Sequence, residues 1–160
     1  MLVLGVGNPL MGDDGIGVEL AHRLQERDYG PLVHVEEGGT LGMTLLPLLE
    51  DADTVILLDA VKTGAPPGTV VTRSRDELPR HFSLVISPHQ IGMKEVLGAA
   101  QLCGTLPRII TLVGVEAGHT DFCQPMSAEV REAVPQALDL VETLIARALE
   151  EYQARKDAHA

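Results

Sequence analysis

Three stretches of this chain are almost continuously apolar, and they constrain its fold more than any other feature. They are Leu2 to Gly7, Thr54 to Ala60 and Ile109 to Val115, each rich in Val, Ile or Leu and without strict alternation of polar and apolar residues. Strands that are apolar on both faces are typical of parallel sheets covered by helices. We therefore expect an α/β fold built on a mostly parallel sheet.

Two shorter strand candidates, Val33 to Val35 and Thr69 to Thr72, are expected nearer the edges of this sheet. The second follows the strand ending at Ala60 after only a short turn that contains Pro66-Pro67-Gly68. A parallel pair needs a crossover connection of a dozen or more residues, which does not fit in this interval. The strand Thr69 to Thr72 is therefore predicted to be an antiparallel edge strand.

Helical patterns fill the intervals between the strands. The first helix is predicted to follow Asp13 or Asp14 as N-cap, to end before Tyr29, and to bury the regularly spaced side chains of Ile16, Leu20 and Leu24. A second helix is predicted from Ser87-Pro88-His89-Gln90, where a capping serine precedes proline, to about Leu102. A third carries an apolar stripe from Val130 to Leu149, and Pro135 should kink it. This alternation of strands and helices predicts a three-layer α/β sandwich with helices on both faces.

Length and charge restrict the domain organisation and the partners. A chain of 160 residues with 45% apolar content can bury one core, so we predict one α/β domain over residues 1–152 and a polar, frayed tail over residues 153–160. The formal charge of −11 disfavours nucleic acid and anionic membranes as partners. No apolar run approaches the roughly 18 residues of a membrane span, and the N-terminus lacks the basic flank of a signal peptide, so we expect a cytoplasmic protein.

Cys103 and Cys123 are expected to be reduced, buried and inert.

Polar residues at the carboxyl ends of the predicted strands are the first candidates for chemistry, because open parallel sheets bind ligands there. Asp13 and Asp14 follow the first strand, Asp59 closes the apolar run Thr54 to Leu58, and His89 lies in the first turn of its helix. Each has an ordinary structural interpretation: helix capping, a loop contact, or a surface histidine. A cap needs only one carboxylate, however, and an ionised carboxylate ending a buried strand is costly unless it is paired or metal-bound.

Taken together, these residues form a set of carboxylates and one imidazole. Such ligands suit a divalent ion such as nickel, zinc, cobalt or manganese, and three protein ligands leave positions open for water or substrate. The glycine-rich turn after the first strand could instead belong to a nucleotide-binding module. It matches only part of the dinucleotide fingerprint, and its acidic pair would repel a phosphate. The turn that begins at Glu37 lies at the same sheet end and could contact substrate.

Five motifs in order, GVGNPLMGDDGIG, EGGTLGM, LLDA, SPHQ and LVGVEAG, resemble those of the nickel-iron hydrogenase maturation endopeptidases. The resemblance extends from Leu2 to about Leu149. It implies a five-stranded α/β sandwich and a hydrolase that removes a C-terminal extension from a nickel-loaded hydrogenase large-subunit precursor. In this reading nickel is carried by the substrate, and the free enzyme is expected to be metal-free or to bind metal weakly.

The resemblance also implies roles for individual residues. The catalytic and nickel-recognising positions fall on Asp14, Asp59 and His89, which leaves Asp13 for capping and orientation. Substrate contact falls on a glycine-rich turn that comprises Gly38, Gly39 and Thr40. The endopeptidase could be aspartyl-type or metal-dependent, since a metal-bound water, polarisation of the carbonyl by the metal, and a carboxylate base are all compatible. A noncatalytic nickel-sensing chaperone would use the same ligands and remains the alternative function.

Overall fold

A computed structural model describes residues 1–78 and 88–158, with side chains for residues 1–78 and 92–158. Its strands are β1 (Leu2–Val6), β2 (His34–Gly39), β3 (Thr54–Val61), β4 (Val70–Ser74) and β5 (Ile109–Glu116). Its α-helices are α1 (Ile16–Gln25), α2 (Leu46–Glu50), α3 (Pro88–Cys103) and α4 (Ala128–Ala158). Two 3₁₀ helices, Gly12–Gly15 and Gly42–Leu45, precede α1 and α2.

The five strands form one sheet in the order β2-β1-β3-β5-β4. β1, β2, β3 and β5 are parallel, and β4 runs antiparallel to β5 at one edge. The predicted mostly parallel five-stranded sheet with an antiparallel edge strand is therefore confirmed. Because β1, β3 and β5 are neighbours, the loops that follow them lie at the same carboxyl edge of the sheet.

The sheet separates two apolar cores, as the three-layer prediction requires. One core lies between the sheet and helices α1 and α4, and it includes Val3, Leu20, Leu58, Val113 and Val141. The other lies between the opposite face and helices α2 and α3, and it includes Leu4, Leu49, Leu57, Val96 and Leu112. Successive residues of a strand point to opposite faces, so Leu57 and Leu58 supply different cores.

Several local expectations need correction. Gly15, and not Asp13 or Asp14, occupies the N-cap position of α1, because the acidic pair lies inside the preceding 3₁₀ helix. β2 begins one residue later than predicted and continues to Gly39, and α2 was not predicted. Both cysteines are free but exposed, so the prediction that they are buried was wrong. Ser87, the predicted cap of α3, lies outside the described residues.

The C-terminal helix is longer than its apolar stripe indicated. α4 passes through Pro135 and continues to Ala158, and residues 153–158, predicted to be a frayed tail, are helical and exposed. The stripe itself is buried against the sheet through Val130, Val134, Val141 and Ile145. None of the helices in the described part of the chain is long and apolar enough to cross a membrane.

Candidate active site at the carboxyl edge of the sheet

The start of α1 packs directly against the carboxyl ends of β1 and β3. A Cβ atom on Gly17 would lie 2.3 Å from the carbonyl oxygens of both Val6 and Leu58, so only glycine allows this approach. Asp14 lies three residues before Gly17 along the chain, and Asp59 directly follows Leu58. The close packing at Gly17 therefore brings the turn that carries Asp14 to the strand end that carries Asp59.

Asp14 is buried, with 2% of its surface exposed. Its Oδ2 atom accepts a hydrogen bond from the backbone N–H of Asn8 at 2.8 Å, which ties the acidic turn to the residue that follows Gly7. Gly7 itself has a φ of 123°, and a Cβ there would lie 1.9 Å from the Asp14 carbonyl oxygen. The glycine-rich motif thus allows the chain to fold back tightly and holds a carboxylate at the end of β1.

Asp13 makes a different set of contacts, although it is also buried. Its carboxylate accepts hydrogen bonds from the backbone N–H groups of Gly118, His119 and Ser127 and from the Ser127 hydroxyl, at 2.6 to 3.1 Å. Burial raises the pKa of Asp13, but the hydrogen bonds from Ser127, His119 and Gly118 outweigh it, so the pKa lies below its usual value. Asp13 therefore remains ionised and holds the segment after β5 against the acidic turn.

Asp59 is 1% exposed and lies near the end of β3, next to Gly114 of β5. Its Oδ1 atom accepts a hydrogen bond from the N–H of Ala60 at 2.8 Å. Leu57 and Val61 belong to the core beneath α2 and α3, so the alternation along the strand directs Asp59 to that same face. The strand-end position predicted from sequence is thus a buried carboxylate on the face that α3 covers.

His89 belongs to the first turn of α3, as the sequence indicated. The same end of this helix lies beside the 3₁₀ helix that follows β2, since a Cβ on Gly92 would lie 3.7 Å from the Gly42 Cα. The backbone of His89 is therefore near the carboxyl edge. Its side chain lies outside the described set, so its predicted meeting with Asp14 and Asp59 stays a prediction.

The two aspartates alone do not complete a metal centre. Among the side chains that the structure describes, no group of three or more His, Cys, Asp and Glu residues could hold a metal ion. The predicted set of Asp14, Asp59 and His89 contains two carboxylates and one imidazole, a combination that suits a divalent transition metal. Such a metal site would need His89, from the start of α3, as its third ligand.

Gly38 and Gly39, predicted to lie in a turn, form the end of β2, and only Thr40 lies in the turn that follows. This segment lies beside the end of β1: the N–H of Gly7 donates to the Gly39 carbonyl oxygen at 3.0 Å, and Gly39 has a φ of 50°. Glu37, the residue before Gly38, is exposed and pairs with His22 of α1 through a 2.9 Å contact between Oε1 and Nδ1. Hydrogen bonding to Glu37 raises the pKa of His22. The carboxylate of Glu37 thus contacts α1.

Sequence reasoning missed Glu116, a fourth buried acid at this edge after Asp13, Asp14 and Asp59. It ends β5, is 3% exposed, and accepts hydrogen bonds from the N–H and hydroxyl groups of Thr63 and the N–H of Gly64. This carboxylate fixes the turn that follows β3. An acid directly after an apolar run was the signal that identified Asp59, and Glu116 follows Ile109 to Val115 in the same way.

Comparisons with known proteins show the family to which the chain belongs. Residues 18–144 match the family described as HycI: Hydrogenase maturation protease. The chain is 43% identical to Hydrogenase 2 maturation protease of Escherichia coli (strain K12), over 86% of this chain and 88% of that protein. It is 39% identical to hydrogenase expression/formation protein HupD of Rhodobacter capsulatus, over 96% of this chain and 71% of that protein. The structure of hydrogenase maturating endopeptidase HybD from E. coli superposes with a TM-score of 0.84 and 35% identity, covering 92% of each chain.

Proposed function

Because the chain belongs to the hydrogenase maturation protease family, and is thus a hydrolase, we propose that it removes the C-terminal extension of a nickel-iron hydrogenase large-subunit precursor after nickel insertion. The observation that supports this proposal most directly is a pair of buried carboxylates at one edge of the sheet: Asp14 in the 3₁₀ helix that follows β1, and Asp59 near the end of the neighbouring strand β3. Carboxylates are ligand types for a divalent cation. A precursor that carries such a cation can present it at this edge of the sheet.

In this proposal nickel belongs to the substrate. Asp14, Asp59 and His89 add their oxygen and nitrogen atoms to a nickel ion that the precursor already holds. A neutral imidazole is the form of histidine that binds metal. The segment from Gly38 to Thr40, at the end of β2, is held to Gly7 by a backbone hydrogen bond and contacts the substrate backbone in this proposal. Metal loading of the precursor then becomes the condition for cleavage, since it positions the scissile peptide.

Three routes to hydrolysis fit such a site. A water bound to the substrate's nickel could attack the peptide carbonyl, the nickel could polarise that carbonyl, or an aspartate could act as general base. All three require ionised carboxylates and a neutral imidazole at the edge of the sheet. We favour a metal-dependent route, because the two buried carboxylates and a helix-start histidine are ligand types for one divalent ion.

The experiment is a paired incubation of the protein with nickel-free and nickel-loaded precursor, followed by electrophoresis of the large subunit. We expect only the loaded precursor to become shorter. Equal cleavage of both forms contradicts metal recognition, and an unchanged length of the loaded form contradicts the proposed cleavage.

Variants at the three positions test the proposed roles. Asp14→Ala, Asp59→Ala and His89→Ala should each abolish processing while the circular dichroism spectrum stays that of the wild type. Asp139→Ala, which removes an exposed carboxylate on α4, is the matched control and should process normally. Full processing by Asp59→Ala contradicts the assignment.

A further inference from the structure

Four large apolar side chains are exposed around the candidate site. Leu10 and Leu41 are each 60% exposed, Met43 is 48% exposed and Phe122 is 65% exposed. They come from three separate segments, which follow β1, β2 and β5 respectively. Because these strands are parallel, all three segments lie at the carboxyl edge, and we refer to the four side chains as the apolar rim.

Backbone hydrogen bonds join the segments of the rim to one another. The N–H of Cys123 donates to the Leu10 carbonyl oxygen at 2.8 Å, which fixes Phe122 beside the segment after β1. The N–H of Leu41 donates to Gly38, and Gly39 in turn accepts from Gly7. The same turn that carries Asp14 is therefore tied to both neighbouring parts of the rim. These backbone hydrogen bonds hold the exposed side chains of the apolar rim in place.

The exposed Leu102 is not part of this arrangement. Leu102 is 91% exposed, but it lies near the end of α3, and α3 begins at the carboxyl edge, so Leu102 is at the opposite end of the helix. Single exposed apolar side chains are common and need no explanation. Apolar side chains supplied by three tied segments around two buried carboxylates are a different case.

We propose that the apolar rim is the docking surface for the hydrogenase large-subunit precursor, an inference that rests on the proposed function. Asp14 and Asp59 are 2% and 1% exposed, so a substrate atom can reach them only by approaching this edge closely. Such an approach covers the rim and removes its apolar surface from water. The rim therefore contributes binding free energy that is independent of the metal.

Charge around the rim indicates the chemistry of the partner. Asp121, next to Phe122, has 77% of its side chain exposed, and the chain carries a formal charge of −11. A second copy of this acidic chain would meet like charge at this edge, whereas a precursor with basic residues at the margin of an apolar surface would meet opposite charge. The charge of this chain therefore disfavours self-association through the rim, and the partner we propose is a precursor with such a surface.

The test compares Leu41→Ser/Phe122→Ser with wild type, and Leu102→Ser is the matched control because it also removes an exposed apolar side chain. Steady-state cleavage of nickel-loaded precursor should show KM raised about tenfold or more in the rim variant, with kcat within about twofold of wild type. The control should match wild type in both constants. Thermal unfolding should be the same for all three proteins, since the substituted side chains are exposed.

Binding measured without turnover separates this inference from the proposed function. If wild type binds the loaded precursor but does not shorten it, the proposed function fails, and a weaker Kd of the rim variant still supports docking. If KM and Kd are unchanged in the rim variant, the inference is overturned. Cleavage of the loaded precursor by wild type still supports the proposed function in that case. Absence of both binding and cleavage by wild type overturns both. Sedimentation that shows a wild-type dimer and a monomeric rim variant assigns the rim to self-association and also overturns the inference.

Discussion

The carboxylate of Asp13 accepts two hydrogen bonds from Ser127, one from its backbone N–H at 2.6 Å and one from its hydroxyl at 3.0 Å. Ser127 directly precedes α4, so this contact joins the first turn of the chain to the start of its last helix. Further hydrogen bonds from Gly118 and His119 hold the intervening segment to the same carboxylate. Asp13 therefore holds the segment between β5 and α4 against the turn that carries Asp14.

Replacing Asp13 by alanine should lower the free energy of unfolding by about 3 kcal/mol, because several donors would lose their acceptor. Urea unfolding followed by circular dichroism measures this change. Asp121→Ala removes an exposed carboxylate from the same segment and should change stability by less than about 0.5 kcal/mol. At temperatures where it is folded, Asp13→Ala should reduce precursor processing less than Asp14→Ala does. Equal stability of the two alanine variants would show that the Asp13 contacts contribute little.

The lowered pKa of Asp13 predicts a dependence of stability on pH. The unfolded carboxyl, with its ordinary value of 3.8, takes up a proton before the folded one does. The contribution of Asp13 is thus fully present above that value and is lost as the pH falls through the lower folded pKa. Asp13→Asn cannot titrate, so the stability difference between wild type and Asp13→Asn should narrow as the pH falls below about 4. A constant difference between pH 6 and pH 3 would contradict the assigned direction.

The central strands could be predicted from sequence because their signal is local. β1, β3 and β5 are buried on both faces, so their continuous apolar runs identify them directly. β2 was located only at its first residues because it is an edge strand whose last four residues, Glu36-Glu37-Gly38-Gly39, have no apolar side chains. The five-residue helix α2 has no full apolar period that could indicate a helix.

In the candidate site, too, the features marked by a local sequence pattern could be predicted, and those that depend on residues distant in the chain could not. The positions of Asp14 and Asp59 follow from strand ends, which the apolar runs mark. The partners of Asp13 lie more than 100 residues away along the chain, at Gly118, His119 and Ser127, so no local sequence pattern predicts them. Asp13 therefore makes tertiary hydrogen bonds in place of the helix capping that we expected.

Gly17→Ala should be strongly destabilising, although it adds only one methyl group. The new Cβ would lie 2.3 Å from two backbone carbonyl oxygens on neighbouring strands, and neither can move without shifting the sheet. We expect a loss of about 3 kcal/mol, measured by urea unfolding, together with reduced processing because α1 and the Asp14 turn must move away from β3.

Gly98→Ala is the control for the substitution at Gly17. Gly98 is also in a helix, but a Cβ there would meet nothing within 4 Å. This change should stabilise the protein by up to about 1 kcal/mol, since alanine is the better helix former. Destabilisation of similar size by both substitutions would show that the close approach of α1 to the strand ends does not explain the effect at Gly17.

Leu57 and Leu112 are register partners on β3 and β5 and share the core beneath α2 and α3. Leu57 is 1% exposed and Leu112 is fully buried, so each alanine substitution should leave a cavity and cost roughly 2 to 5 kcal/mol. The double variant should lose less than the sum, because neighbouring cavities merge and the surrounding side chains relax into both. Leu102→Ala removes an exposed leucine and should change stability by less than about 0.5 kcal/mol. Strict additivity of the two core substitutions would show that the two side chains occupy independent parts of the core.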